Sequence, residues 1–338
     1  MTFSLKSLIK LHDRATLHRG LYAFEWAILA YMALTFILIY IMHDRLVNPS
    51  AMIDGRLSVL ATTLLLWAVY RMLPCDATLL VRIIVQIALL SWWYPDTYEL
   101  NRVLPNLDHI FASWEQSIFG CQPALLFSQR FSSPIVSELL EMGYVSYYPM
   151  LISVPLFYLV YQRNELARSA FVLLGAFYIY YVIFIALPVV GPQYYYPAVG
   201  EDLIARGIFP NLGSYFTTHA DLSPSPGWKY GLFYNLLQLA HVSGERPTAA
   251  FPSSHVGIAV VVLLLAWHTR SRRYTLAVLP FAILMFFATF YIKAHYVIDA
   301  IAGLISGVLI YWLLMLISKP DYAAKSTKPH RKTSHRKS

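Results

Sequence analysis

The sequence predicts an all-α polytopic membrane protein with about eight transmembrane helices. Hydrophobic residues make up 58% of the 338-residue chain and charged residues only 13%, and mean hydropathy is +0.53. A soluble domain of this size carries about a quarter charged residues. The apolar residues also fall in runs, and about 17 to 25 of them in succession are enough to cross the hydrocarbon as a helix. Eight runs are expected as spans: residues 21–41, 57–73, 77–94, 137–161, 167–187, 254–267, 274–291 and 296–317.

Charge sets the expected orientation. With eight crossings and the N-terminus inside, 17 of the 26 Lys and Arg fall on the side of the two ends and eight on the other. That bias follows the positive-inside rule, so the net charge of +8 is no sign of a nucleic-acid partner. Both termini and residues 71–76, 162–168, 268–273 and 319–338 are expected in the cytoplasm. Cys75 and Cys121 then face opposite sides of the membrane and cannot pair.

Residues 1–20 form a basic cytoplasmic segment with Lys6, Lys10, Arg14 and Arg19, read as preceding a retained anchor rather than a cleaved signal. Residues 21–166 are N-terminal spans with an outer aromatic loop at 95–134. Glu25 and Arg82 are charges at predicted span boundaries, where long side chains reach the headgroups; a functional role is the alternative. Residues 107–119 have helical apolar spacing and suit an interfacial helix. Tyr144, Tyr147 and Tyr148 share one helical face, which either packs or lines a headgroup pocket. Residues 167–318 make the expected catalytic core, with a long outer loop at 188–251 read as a lid. Residues 319–338 are a basic tail suited to anionic lipid.

Two motifs in that core carry chemistry. Ala250-Phe251-Pro252-Ser253-Ser254-His255 and His295-Tyr296-Val297-Ile298-Asp299 are joined by one apolar hairpin, so they return to the same membrane face, the extracytoplasmic one. A His–Asp spacing of four stacks both side chains if the segment is helical, and an Asp bonded to one ring nitrogen frees the other to attack. Pro-Ser-Ser before an apolar run marks a helix start, whose free N–H groups favour an anion. Ser253 and Ser254 add donors there, and His255 is positioned to protonate a leaving oxygen. The pattern describes phosphoryl transfer through a phosphohistidine.

The two motifs resemble the second and third signatures of the type 2 phosphatidic acid phosphatase (PAP2) superfamily. The Ala-Phe-Pro-Ser form is closer to its Aur1-like, inositol-phosphorylceramide synthase branch, and the His-Tyr-Val-Ile-Asp form is also similar to sphingomyelin synthases. The resemblance implies a helical core over about residues 167–317, with His295 as nucleophile, Asp299 as its orienting partner and His255 as acid/base. It also implies a reaction that needs no metal or other cofactor.

Two departures stand out. The family's third-motif Arg falls at Thr289, and where Aur1-like chains have an Arg in the first motif this one has Gln193. Gln193 donates a hydrogen bond without charge, so Lys293 and Arg246 become the candidates for neutralising phosphate. The expected partners are membrane lipids: a phospholipid donor and a ceramide or diacylglycerol acceptor. The expected reaction passes a phosphate-bearing, inositol-phosphate-type headgroup to a lipid hydroxyl. Hydrolysis of a lipid phosphomonoester is the alternative, and a non-catalytic lipid-binding protein is a second.

Overall fold

A computed structural model describes residues 8–12 and 18–318, apart from the side chains of residues 242 and 243. Most of the basic N-terminal segment and the tail at 319–338 lie outside the described residues. All regular structure among the described residues is helical. The order is α1 (Ala23–Met42), α2 (Pro49–Met72), α3 (Asp76–Asn101), α4 (Asp108–Phe119), α5 (Pro123–Arg130), α6 (Pro134–Val145) and α7 (Tyr147–Tyr161). Then follow α8 (Leu166–Ala186), α9 (Pro192–Val199), α10 (Glu201–Ala205), α11 (Leu232–Gly244), α12 (Ser254–His268), α13 (Arg272–Tyr291) and α14 (Val297–Ile317).

Local chemistry explains several starts. The side chains of Asn48, Ser133 and Ser271 accept the N–H of Ala51, Val136 and Tyr274, and Pro49 and Pro134 occupy first-turn positions that lack a helical N–H partner anyway. Helix α8 is the centre of the bundle: 72% of its apolar window is buried, and it packs on α1, α3, α7, α12 and α14.

Six helices are long and apolar enough to span a membrane, α1, α2, α3, α8, α13 and α14; the first and fourth carry short 3₁₀ extensions. These helices mark an integral membrane protein, but two of the eight expected spans differ. The run at 137–161 is α6 and α7, bent by 43° where they meet at Ser146. There the Ser146 hydroxyl donates to the Gly143 carbonyl at 2.6 Å, competing with the helix ladder. The run at 254–267 is α12, whose 15 residues rise about 22 Å, less than the roughly 30 Å of hydrocarbon.

Glu25 and Arg82 do not reach for headgroups. They form an ion pair at 2.5 and 2.9 Å with neither side chain exposed, and the guanidinium lies over the rings of Tyr22 and Tyr70. The sequence placed each near a boundary without showing that α1 and α3 bring them together. Arg56, expected outside the bilayer, is likewise buried in a two-pronged pair with Asp96.

Helices α12, α13 and α14 pack together, and glycines set the closest approach. A Cβ on Gly303 would stand 2.4 Å from the Ser253 carbonyl oxygen, and one on Gly307 2.6 Å from that of Gly257. Small residues four apart let two backbones meet directly. This contact brings the start of α12 to the start of α14.

Candidate active site

Three irregular segments meet where α12 begins, α13 ends and α14 begins. Residues 188–193 hydrogen-bond to residue 250 on one side and residue 293 on the other: Ala250 N–H donates to Val189 O at 3.0 Å, and Gln193 N–H to Lys293 O at 2.7 Å. Gly191 has φ +84°, and a Cβ there would stand 2.5 Å from the Ala294 carbonyl oxygen. A side chain would push residues 188–193 away from the segment that carries His295.

Helix α4 holds these segments from beneath. Asp108 accepts from the N–H groups of Val190 (2.7 Å) and Gly191 (2.9 Å), from the Asn106 amide and from the Tyr296 hydroxyl. Glu115, seven positions on, accepts from the N–H groups of Val297 and Ile298 at the start of α14. Burial pushes both carboxyls up, Glu115 to about 7, and the donors facing each one pull it back. The helix expected at 107–119 is present, with its carboxylate face turned into the protein and Trp114 exposed.

Forty positions apart in the sequence, the two motif histidines meet. His295 Nε2 lies 3.5 Å from His255 Nδ1, and the rings cross at 64°. Tyr144 stacks on His255 at 4.5 Å and Tyr147 packs against it at 4.6 Å, so two of the three tyrosines of the expected stripe contact the candidate acid. Tyr148 is 60% exposed and packs edge-on against Tyr147.

Asp299 does not bond to His295. Its Oδ2 stands 3.8 Å from Nδ1 and accepts the Tyr296 N–H at 2.8 Å, capping α14; Oδ1 is buried without a partner. Nδ1 instead faces the Ala250 carbonyl at 2.8 Å. The reason is local. The spacing of four assumed a helix, yet His295 precedes the N-cap Tyr296 and lies outside α14. A carbonyl oxygen only accepts, so Nδ1 carries the proton and Nε2 keeps its lone pair. Burial lowers the His295 pKa to about 4, against the opposing pull of the Ala250 bond and the nearby Glu245 carboxylate, so the ring is neutral at pH 7.

The expected phosphate ligands are distributed unevenly. Ser253 is fully buried with its hydroxyl capping α12 through the Val256 N–H, and Ser254 is the first residue of that helix. The Gln193 amide donates to Glu245 at 3.1 Å, leaving its own oxygen without a partner. Lys293 is paired with Glu201 at 2.5 Å, and Arg246 is exposed, donating to the Glu245 carbonyl. Thr289 is buried with its hydroxyl on the Phe286 carbonyl.

Sequence reading missed Glu245, whose carboxyl burial pushes up and which lies within electrostatic reach of His295. It also missed Asp108 and Glu115. The available signal was their spacing of seven on one face of an amphipathic segment.

A cavity of about 290 Å³ lies against Tyr144, whose ring stacks on His255. Tyr144, Val145 and Tyr148 form one wall and Leu236, Leu237, Leu239 and Ala240 of α11 the other. Tyr144 thus touches both the cavity and His255.

Compared with known families, residues 109–313 match the sequence model of the PAP2 superfamily. The match takes in α4 to α7 as well as the segment from 167 onward. Neither the curated proteins nor the solved structures returned a match.

Proposed function

Because the chain belongs to the PAP2 superfamily, whose members are phosphatases or phosphotransferases, we propose that it is a metal-independent lipid phosphotransferase working through a phosphohistidine on His295. The observation that carries this reading is the His295 ring. Its Nδ1–H is held by the Ala250 carbonyl, and its Nε2 lone pair is directed at His255.

In the first step Nε2 attacks phosphorus, the bond from phosphorus to the leaving alcohol breaks, and His255, entering as the imidazolium, gives that oxygen a proton and becomes neutral. In the second, an acceptor hydroxyl gives its proton to His255, its oxygen bonds phosphorus, and the N–P bond breaks. A reacting phosphorus sits about 3–3.5 Å from its nucleophile. It therefore has no room between nitrogens 3.5 Å apart, and substrate binding parts the two rings.

Two features favour a headgroup phosphodiester over a phosphomonoester. Glu245 stands within electrostatic reach of the nucleophile, and a carboxylate there repels a dianion more than a singly charged diester. The apolar cavity against Tyr144, the ring stacked on His255, also has room for hydrocarbon that water as acceptor would not need. The phosphate is held by the N-terminus of α12 with Ser253 and Ser254, and by Gln193, Lys293 or Arg246 once released from its present partner. The site faces outside and the termini the cytoplasm, in keeping with the charge bias.

The test uses the full chain in lipid nanodiscs with phosphorus-labelled phospholipids, with chelator, and with or without ceramide or diacylglycerol. Label moving to a new lipid only with acceptor supports transfer of a headgroup. Acceptor-independent release of phosphate makes the protein a phosphatase, and no turnover from any donor removes the enzymatic reading.

A further inference from the structure

Helix α11 carries a third histidine that the mechanism above does not use. His241 is 5% exposed, and neither ring nitrogen has a hydrogen-bond partner. A buried imidazole without partners is unusual, because desolvating a donor and an acceptor is costly unless something pairs with them.

Its place on the helix says what that is. Leu237 and His241 are spaced by four and share one face of α11, and Glu245, just past the helix end, donates its N–H to the His241 carbonyl at 3.1 Å. Leu237 lines the cavity against Tyr144, and Tyr144 stacks on His255. At the other end, Glu245 accepts from Gln193, whose backbone is bonded to Lys293 two residues before His295. His241 therefore stands between the cavity and the polar end of the candidate site. It lies within electrostatic reach of His255.

We infer that His241 is a phosphoryl-binding residue, donating its N–H to a non-bridging oxygen of the group in transfer. The inference rests on the phosphoryl-transfer reading and adds a donor that needs no release from a protein partner. Thr289 stands where the family has an arginine, and the Gln193 amide is already engaged by Glu245. Burial lowers the His241 pKa to about 4, so the ring is neutral at pH 7 and offers one N–H without a charge. A neutral donor beside Glu245 needs no counter-charge, and donors aimed at a developing oxyanion act most strongly where water is excluded.

The experiment uses orthovanadate as the probe, with the full chain in nanodiscs. Vanadate inhibition and the kcat and KM for the labelled phospholipid are compared for the native protein, His241→Phe and His241→Asn. Phenylalanine fills the space without a donor, and asparagine keeps an N–H. The expected result is a vanadate constant about tenfold or more weaker and a reduced kcat in His241→Phe, with KM little changed. His241→Asn should recover much of both, with matching melting temperatures. Native vanadate affinity in His241→Phe overturns the inference, and so does an asparagine variant no better than phenylalanine, since only packing would then matter. If the native protein neither turns over lipid nor binds vanadate, the phosphoryl-transfer reading fails and takes this inference with it.

Discussion

His295 donates its Nδ1–H to the main-chain carbonyl of Ala250 at 2.8 Å, so the chain segment just before Pro252 sets the tautomer of a histidine 45 positions away. The proposed nucleophile is oriented by backbone rather than by a carboxylate. His295→Ala should therefore leave the fold intact and reduce turnover to background, with no acid-labile phosphorus label on the protein. Retained turnover or labelling would remove His295 as nucleophile.

Under the proposed mechanism, Asp299 acts at a distance. Its carboxylate is 3.8 Å from Nδ1, close enough to stabilise the positive charge that develops on a phosphorylated imidazole. Asp299→Asn keeps an oxygen able to cap α14 and loses the charge. The expected outcome is a kcat lower by about 10²-fold, the scale of one well-placed electrostatic contact. An unchanged kcat would show that the carboxylate serves only as a cap.

The pH profile follows from burial. With its pKa lowered to about 4, His295 keeps its lone pair through the neutral range. The acid limb of kcat/KM that belongs to it is expected near pH 4 rather than near the ordinary value of about 6.5. Between these values the unfolded chain binds more protons at this site than the folded one. Its contribution to stability is complete above pH 6.5 and is lost as pH falls toward 4. Glu115, raised to about 7, acts in the opposite sense between about 4.5 and 7, so Glu115→Gln is the background for the stability measurement. A kcat/KM acid limb near pH 6.5 that persists in the Glu115→Gln background contradicts the buried neutral ring.

Gly191 tests the junction of the loops. Its φ of +84° and the 2.5 Å approach to the Ala294 carbonyl leave no room for a methyl group. Gly191→Ala should cost about 1–3 kcal/mol from backbone strain alone. By displacing residues 188–193 it should also lower kcat more than tenfold. A variant with native melting and activity would show that this approach does not position His295.

The buried pair Glu25–Arg82 belongs to the scaffold and not to the site. Removing one partner leaves an uncompensated charge, so Arg82→Met or Glu25→Leu alone should destabilise by about 3–5 kcal/mol, whereas the double variant should lie close to native. Denaturant melts of the three proteins in one detergent decide this. Equal losses in the single and double variants would mean the pair contributes through its own attraction.

By itself the sequence determined the class of protein and the two motifs. Apolar runs are a local property, and a hairpin of two such runs necessarily returns His295 to the neighbourhood of His255. It also showed the departures at Thr289 and Gln193, because residue identity needs no fold. Tertiary structure decided what the motifs do with their neighbours. The spacing from His295 to Asp299 promised a helical pair, but the helix starts after His295, so Ala250 took the hydrogen bond. Asp108 and Glu115 bond to segments more than 80 positions away, and Glu25 to Arg82 across 57. His241 and Glu245 gained their place only when α11 packed on α6. These partners come from irregular backbone and from helix faces meeting in space, and neither has a period that a linear reading can detect.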